Sequence, residues 1–245
     1  MLRVEKVSKS FDGFVAVSQV SMTVKEGEIA SLIGTNGAGK TTLFNLITGH
    51  LRSDEGEIYF KDRRITHLRP YHIVRLGIGR SFQRLNIFPR LTVFENVQAA
   101  VISYKKETLS FLRPRERLFE GETQRILDEV GLTAVRNEIS GSLSYGYQKQ
   151  LEFGIALAFE PELLLLDEPT AGLSAVGTSH AMELIVNVIK TRGTTLLVIE
   201  HDMHVVFSIS DHIIVLHGGR VISDGTPEQV RTDPEVQKSY LGESL

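Results

Sequence analysis

The stretch Gly34-Thr35-Asn36-Gly37-Ala38-Gly39-Lys40-Thr41-Thr42 constrains this chain more than any other. Ahead of it, Ile29-Ala30-Ser31-Leu32-Ile33 has the makeup of a buried strand; behind it, Leu43-Phe44-Asn45-Leu46-Ile47 has that of a helix. Strand, glycine-rich loop and helix are the setting in which backbone wraps a phosphate group. Glycines let successive N–H groups turn toward the anion, and the N-terminus of the following helix adds partial positive charge. In such a loop Lys40 reaches the β- and γ-phosphates, and the Thr41 hydroxyl ligates Mg²⁺.

The remaining pattern reads as an α/β fold around that loop. Residues 1 to 28 alternate apolar and polar (Leu2, Val4, Val15, Val17, Val20, Met22, Val24), the period of half-buried antiparallel strands, with turns at Asp12-Gly13 and Glu26-Gly27. Gly56-Glu57-Ile58-Tyr59-Phe60 and Gly77 to Gln83 read as further strands. From residue 84 to about 140 the character turns helical. Thr92 stands as an N-cap with Glu95 behind it, and a helix from Glu122 to Val130 stops at Gly131. Between them, residues 104 to 117 form a basic, apolar-poor stretch that reads as solvated surface. Leu151, Ile155, Ala158 and Phe159 make the apolar stripe of a helix spanning Lys149 to Phe159, halted by Pro161.

Leu163-Leu164-Leu165-Leu166 cannot face both water and core, so it reads as a strand covered on both sides, as in a parallel sheet. Asp167 and Glu168 follow it. Thr194 to Ile199 repeats the pattern, an apolar strand followed by Glu200-His201-Asp202. Ligands of open parallel sheets bind beyond the carboxyl ends of the strands, so Asp167, Glu168 and His201 converge on the rim that carries the glycine-rich loop. A closing hairpin runs through Ile213 to Ile222, and short helices follow from Thr226.

Composition narrows the class. Apolar content of 42%, charged content of 23% and a net charge of −3 suit a globular chain and give no electrostatic case for nucleic acid. The chain has no cysteine, which excludes disulfides and thiolate metal sites. The N-terminus lacks the apolar core of a signal peptide, and no apolar run approaches a membrane span. A membrane role therefore has to come through a partner.

The glycine-rich loop, Leu143-Ser144-Tyr145-Gly146-Tyr147-Gln148, Asp167-Glu168 and His201, in this order, resemble the ATP-binding subunit of an ABC transporter over essentially the whole chain. The resemblance implies a RecA-like P-loop NTPase core with an antiparallel β subdomain and an inserted helical subdomain. It divides the single domain 1–245 into a core of about 1–85 and 156–245 and a helical part of about 86–155. It assigns ATP to Gly34, Asn36, Gly37, Ala38, Gly39, Lys40, Thr41 and Thr42, with Phe11 stacking on adenine. Phe14 competes for that last role. Mg²⁺ falls to Thr41, Gln83 and Asp167, while Glu168, His201 and Lys40 become the catalytic groups. Ser144, Gly146 and Gln148 would contact the nucleotide held by a second ATP-binding subunit, making a homo- or heterodimer. Two membrane permease subunits, and an external solute-binding protein acting through them, complete the implied assembly at the cytoplasmic face of the membrane.

Tyr145, Tyr147 and Ser174 depart from the commonest family pattern, which has glycine, Gln or Glu, and Asp or Asn at those places. The flanks Gly79 to Gln83, Leu91 to Val97, Ile199 to Met203 and the tail from Gly225 resemble the branched-chain amino acid uptake subgroup. Urea or amide uptake and lipopolysaccharide export are its near relatives.

Overall fold

A computed structural model describes residues 1–81, 86–105 and 119–239. Two sheets organise it. The first is antiparallel and four-stranded, in the order β2-β1-β4-β5. Its strands are β1 (Leu2–Phe11), β2 (Phe14–Val24), β4 (Glu55–Phe60) and β5 (Arg63–Arg64). Asp12 and Gly13 both take positive φ (47° and 88°), the tight turn that joins β1 to β2 and sets Phe11 opposite Phe14. The broken alternation Val17/Val20 has a local cause. Gln19 sits at φ 52° beside a register shift, so both valines reach the same core.

The second sheet has six strands, in the order β10-β9-β3-β8-β7-β6. They are β3 (Ile29–Gly34), β6 (Ile78–Arg80), β7 (Leu163–Asp167), β8 (Thr195–Ile199), β9 (His212–His217) and β10 (Arg220–Gly225). Strands β6, β7, β8, β3 and β9 are parallel neighbours, and β10 returns antiparallel. The leucine run behaves as its sequence requires: every residue of β7 is buried. Leu163 and Leu165 pack toward the antiparallel sheet, Leu164 and Leu166 toward helices on the other face. Each such side chain contributes about 1.5–3 kcal/mol of burial.

The helices are α1 (Lys40–Ile47), α2 (Pro70–Arg75), α3 (Val93–Lys105), α4 (Glu120–Glu129), α5 (Tyr145–Leu157), α6 (Ala175–Arg192), α7 (Met203–Ile209), α8 (Pro227–Thr232) and α9 (Pro234–Ser239). Thr92 and Glu95 cap α3 reciprocally: the Glu95 amide donates to Thr92 Oγ1 at 3.1 Å, and the Thr92 amide to Glu95 Oε2 at 2.7 Å. Gly131 ends α4 at φ 70°. The apolar faces of α3, α4, α5 and α6 form one cluster with the far face of β7 and β8.

Two expectations are corrected. The strand expected over Gly77 to Gln83 is confined to Ile78–Arg80, because Gly77 turns at φ 102°; Phe82 and Gln83 lie outside the described residues. Helix α5 begins at Tyr145, not Lys149, because Ser144 caps it. Helices α2, α6 and α7 carry no sequence expectation above. Among the described residues, no helix is long and apolar enough to cross a membrane.

Candidate nucleotide-binding site

Four parallel strands deliver their carboxyl ends to one edge: β3 into the glycine-rich loop, β8 into Glu200-His201, β7 onto Asp167 and β6 onto Arg80. Gly39 caps α1 at φ 102°, and a Cβ there would run into the Ala16 carbonyl of β2. Only glycine fits. That contact also seats the antiparallel sheet against the loop, with the Gly219 amide donating to Ala38 O at 3.1 Å from the other side.

Lys40 bends back over the loop and donates to the carbonyls of Gly34 (2.7 Å) and Thr35 (3.1 Å). Burial lowers its pKa from the ordinary lysine value, and the charges of Glu168 and Asp167 oppose the shift. Asp167 is 1% exposed; its Oδ2 pairs with Arg80 Nη2 at 3.3 Å, and its Oδ1 has no hydrogen-bond partner among the described residues. Burial raises the Asp167 pKa; Arg80 resists that and Glu168 adds to it.

Glu168 holds a left-handed φ of 52°, a conformation costing a non-glycine residue about 1–2 kcal/mol. Its amide donates to Ile199 O at 3.0 Å, and its Oε1 lies 2.7 Å from His201 Nε2. The two residues expected to do chemistry are thus in direct contact. Behind them sits buried Glu200, absent from the sequence assignments. Its Oε1 accepts from the Thr170 hydroxyl (2.7 Å) and amide (3.2 Å), and its Oε2 from the His201 amide (3.2 Å). Glu200 ties the loop after Glu168 to the backbone of His201. Burial pushes its pKa up, against those hydrogen bonds. Arg80 is the other residue missed; its only signal was a charge at the carboxyl end of an apolar strand.

Ser144 caps α5, accepting from the Tyr147 amide at 3.5 Å, so Tyr145, Gly146 and Tyr147 occupy the first helical turn. Among the described residues no hydrogen bond joins Ser144, Gly146 or Gln148 to the glycine-rich loop. Gln148 Nε2 donates to Ser140 O at 3.2 Å, bracing the approach to the helix. The tyrosine at 145 is accommodated by Gly172: a Cβ there would lie 3.1 Å from the ring. Ser174 caps α6, accepting from the Gly177 amide at 3.2 Å. Phe11 and Phe14 face each other across the hairpin end, both exposed, with Lys9 Nζ 5.4 Å from the Phe11 ring centre.

A parallel sheet, a glycine-wrapped lysine and two carboxylates beyond one strand define a P-loop nucleoside-triphosphatase. The ABC transporter family model matches residues 17–171, and the model for branched-chain amino acid ATP-binding cassette transporters matches residues 220–245. The chain is 39% identical to the high-affinity branched-chain amino acid transport ATP-binding protein BraF of Pseudomonas aeruginosa, covering 100% of this chain and 98% of BraF. It is 35% identical to the lipopolysaccharide export ATP-binding protein LptB of Haemophilus influenzae, over 100% and 98%. Among solved structures, the ADP conformation of the cassette MJ1267 superposes with TM-score 0.87 at 33% identity, covering 99% of this chain and 98% of that one. The dimeric, ADP- and Pi-bound cassette MJ0796 does so with TM-score 0.79 at 27% identity, over 93% and 99%. The chain belongs to the ABC transporter family of ATP-binding, ATP-hydrolysing subunits.

Proposed function

We propose that this chain is the ATP-hydrolysing subunit of a membrane importer for branched-chain amino acids. What supports the cargo is the conjunction of full-length likeness to branched-chain transport subunits with a separate match over residues 220–245, outside the catalytic motifs. In this reading the subunit lies at the cytoplasmic face of the membrane. It pairs with a second ATP-binding subunit, and two permease subunits relay to an external solute-binding protein. The helical part, about 86–155, meets the membrane partner. A groove of about 600 Å³ beside it, lined by Thr48, His50, Tyr71, Phe88, Ala100 and Phe159 among others, suits that contact.

The residues fit ATP and its cation. Asp167 offers a buried carboxylate with one oxygen unpartnered among the described residues, the donor type Mg²⁺ takes, and Thr41 offers a hydroxyl at the start of α1. Gln83 would complete the set by family resemblance. The bound cation would neutralise charge on the phosphates. Lys40 exchanges its two carbonyl partners for phosphate oxygens, and the amides from Gly34 to Thr42 enclose them. Glu168 accepts the proton of the attacking water, while His201, held against it, orients that carboxylate and meets the γ-phosphate. Phe11 stacks on adenine. Ser144 and Gly146 present a helix N-terminus to the nucleotide of the opposite subunit, with Gln148 supporting them.

The test is uptake of labelled leucine in a strain lacking this protein, complemented with wild type or Glu168→Gln. Rescue by wild type alone is the expected result. Uptake that never depended on the protein would remove this cargo, and lipopolysaccharide export would be examined next.

A further inference from the structure

Arg80 joins the end of α1 to the carboxylate that ends the leucine strand β7. Its guanidinium is 7% exposed. Nη2 lies 3.3 Å from Asp167 Oδ2, while Nη1 donates to Asn45 Oδ1 (2.7 Å) and Thr48 Oγ1 (3.0 Å), both on or beside α1. Its carbon centre lies 5.9 Å from the centre of the Phe44 ring. Thr48 Oγ1 lies 3.0 Å from His50 Nδ1, and Thr48, His50 and Arg80 all line the groove described above.

We propose that Arg80 is the positioning residue for Asp167. It occupies one carboxylate oxygen and keeps the other turned to the nucleotide's cation, in a geometry anchored through Asn45 and Thr48 to the groove wall. The rigid planar fork puts N–H groups of one nitrogen on Asn45 and Thr48 and those of the other on Asp167, whereas a lysine's three donors share a single nitrogen. Without the fork a carboxylate buried to 1% exposure loses both its orientation and the charge that offsets burial. The inference rests on the nucleotide-and-cation reading of the site.

The experiment measures the affinity of the purified full chain for fluorescent ADP in Mg²⁺ and in EDTA, with thermal unfolding in parallel. Wild type should bind more tightly with Mg²⁺. Arg80→Met should keep the EDTA affinity within about twofold and lose about ten- to a hundredfold of the Mg²⁺ gain, the range for a buried charge-assisted hydrogen bond. Arg80→Lys should recover only part of it. A Mg²⁺ gain that survives or grows in Arg80→Met overturns the inference; no gain in wild type overturns the cation reading beneath it as well. Should Arg80→Met fail to fold, Thr48→Val decides, since it keeps the ion pair and drops one anchor. A gain reduced by about threefold is expected there, and an unchanged gain refutes the anchoring.

Discussion

Ser174 stands where the family resemblance leads one to expect Asp or Asn, and the structure gives it a local task that can be separated from any role across a dimer. Its hydroxyl accepts the Gly177 amide at 3.2 Å and caps α6, whose first turn holds no acidic residue. Serine, aspartate and asparagine are near-equal caps, and replacing one with alanine costs about 1 kcal/mol. Ser174→Ala should therefore lower the melting temperature of this 245-residue chain by about 2–4 °C. Ser174→Asp keeps the cap and adds a carboxylate to a helix N-terminus whose first turn holds no acidic residue, worth about 0.3–1 kcal/mol at low salt. It should melt at or slightly above wild type, with the advantage fading as salt is added. Calorimetry on the three proteins at low and high ionic strength reads this directly. A Ser174→Ala protein indistinguishable from wild type, or a Ser174→Asp protein less stable than Ser174→Ala, would refute the capping argument. Melting temperatures that follow the cap while ATPase rates move independently would assign any further role of this position to a contact across the dimer.

Gly39→Ala should destabilise the fold by about 2–5 kcal/mol, combining left-handed strain with overpacking against the Ala16 carbonyl; a urea midpoint close to wild type would contradict it. His212 is hydrogen-bonded to Asp224, with Glu28 on its other nitrogen at 3.3 Å, and these acceptors raise its pKa. A raised histidine pKa stabilises the fold fully below the unfolded value, about 6.5, and the benefit disappears as pH climbs through the folded value. His212→Gln should thus cost more at pH 6 than at pH 9, and equal urea-midpoint gaps at the two pH values would reject the coupling. Ser144→Arg should abolish ATPase activity yet leave nucleotide affinity of the isolated subunit intact, because no hydrogen bond joins Ser144 to its own loop among the described residues. Loss of affinity in the monomer would show that Ser144 serves its own site.

What was legible in the sequence had strong local causes. The leucine run of β7 could only be a doubly covered strand, and the carboxyl-edge rule placed Asp167, Glu168 and His201 on one rim, where the structure has them. Thr92 with Glu95 announced α3 through their reciprocal cap. The start of α5 was misplaced because Tyr145 and Tyr147 interrupt the apolar stripe, so the cap at Ser144 was the better signal. Arg80 and Glu200 escaped notice for another reason. Each acts through partners remote in sequence, Arg80 on Asp167 and Asn45, Glu200 on Thr170, and no local spacing encodes such a meeting.

Helix α5 is packed into the core from Lys149 to its C-terminus and presents its first turn to solvent. Toward its C-terminus Gly154 lets Val130 approach closely (a Cβ there would lie 3.3 Å from it), and Leu157 is fully buried, while Ser144 and the exposed rings of Tyr145 and Tyr147 stand at the tip. At 1.5 Å per residue its 13 residues make an arm of about 20 Å. Gly154 lies about 15 Å along the axis from Ser144, so a tilt of about ten degrees there would sweep Ser144 through about 2.6 Å, close to the length of a hydrogen bond. Small repacking beside Gly154 is thereby geared into the position of the tip, and substitutions at this pivot should shift Ser144 and Gly146 without changing either residue.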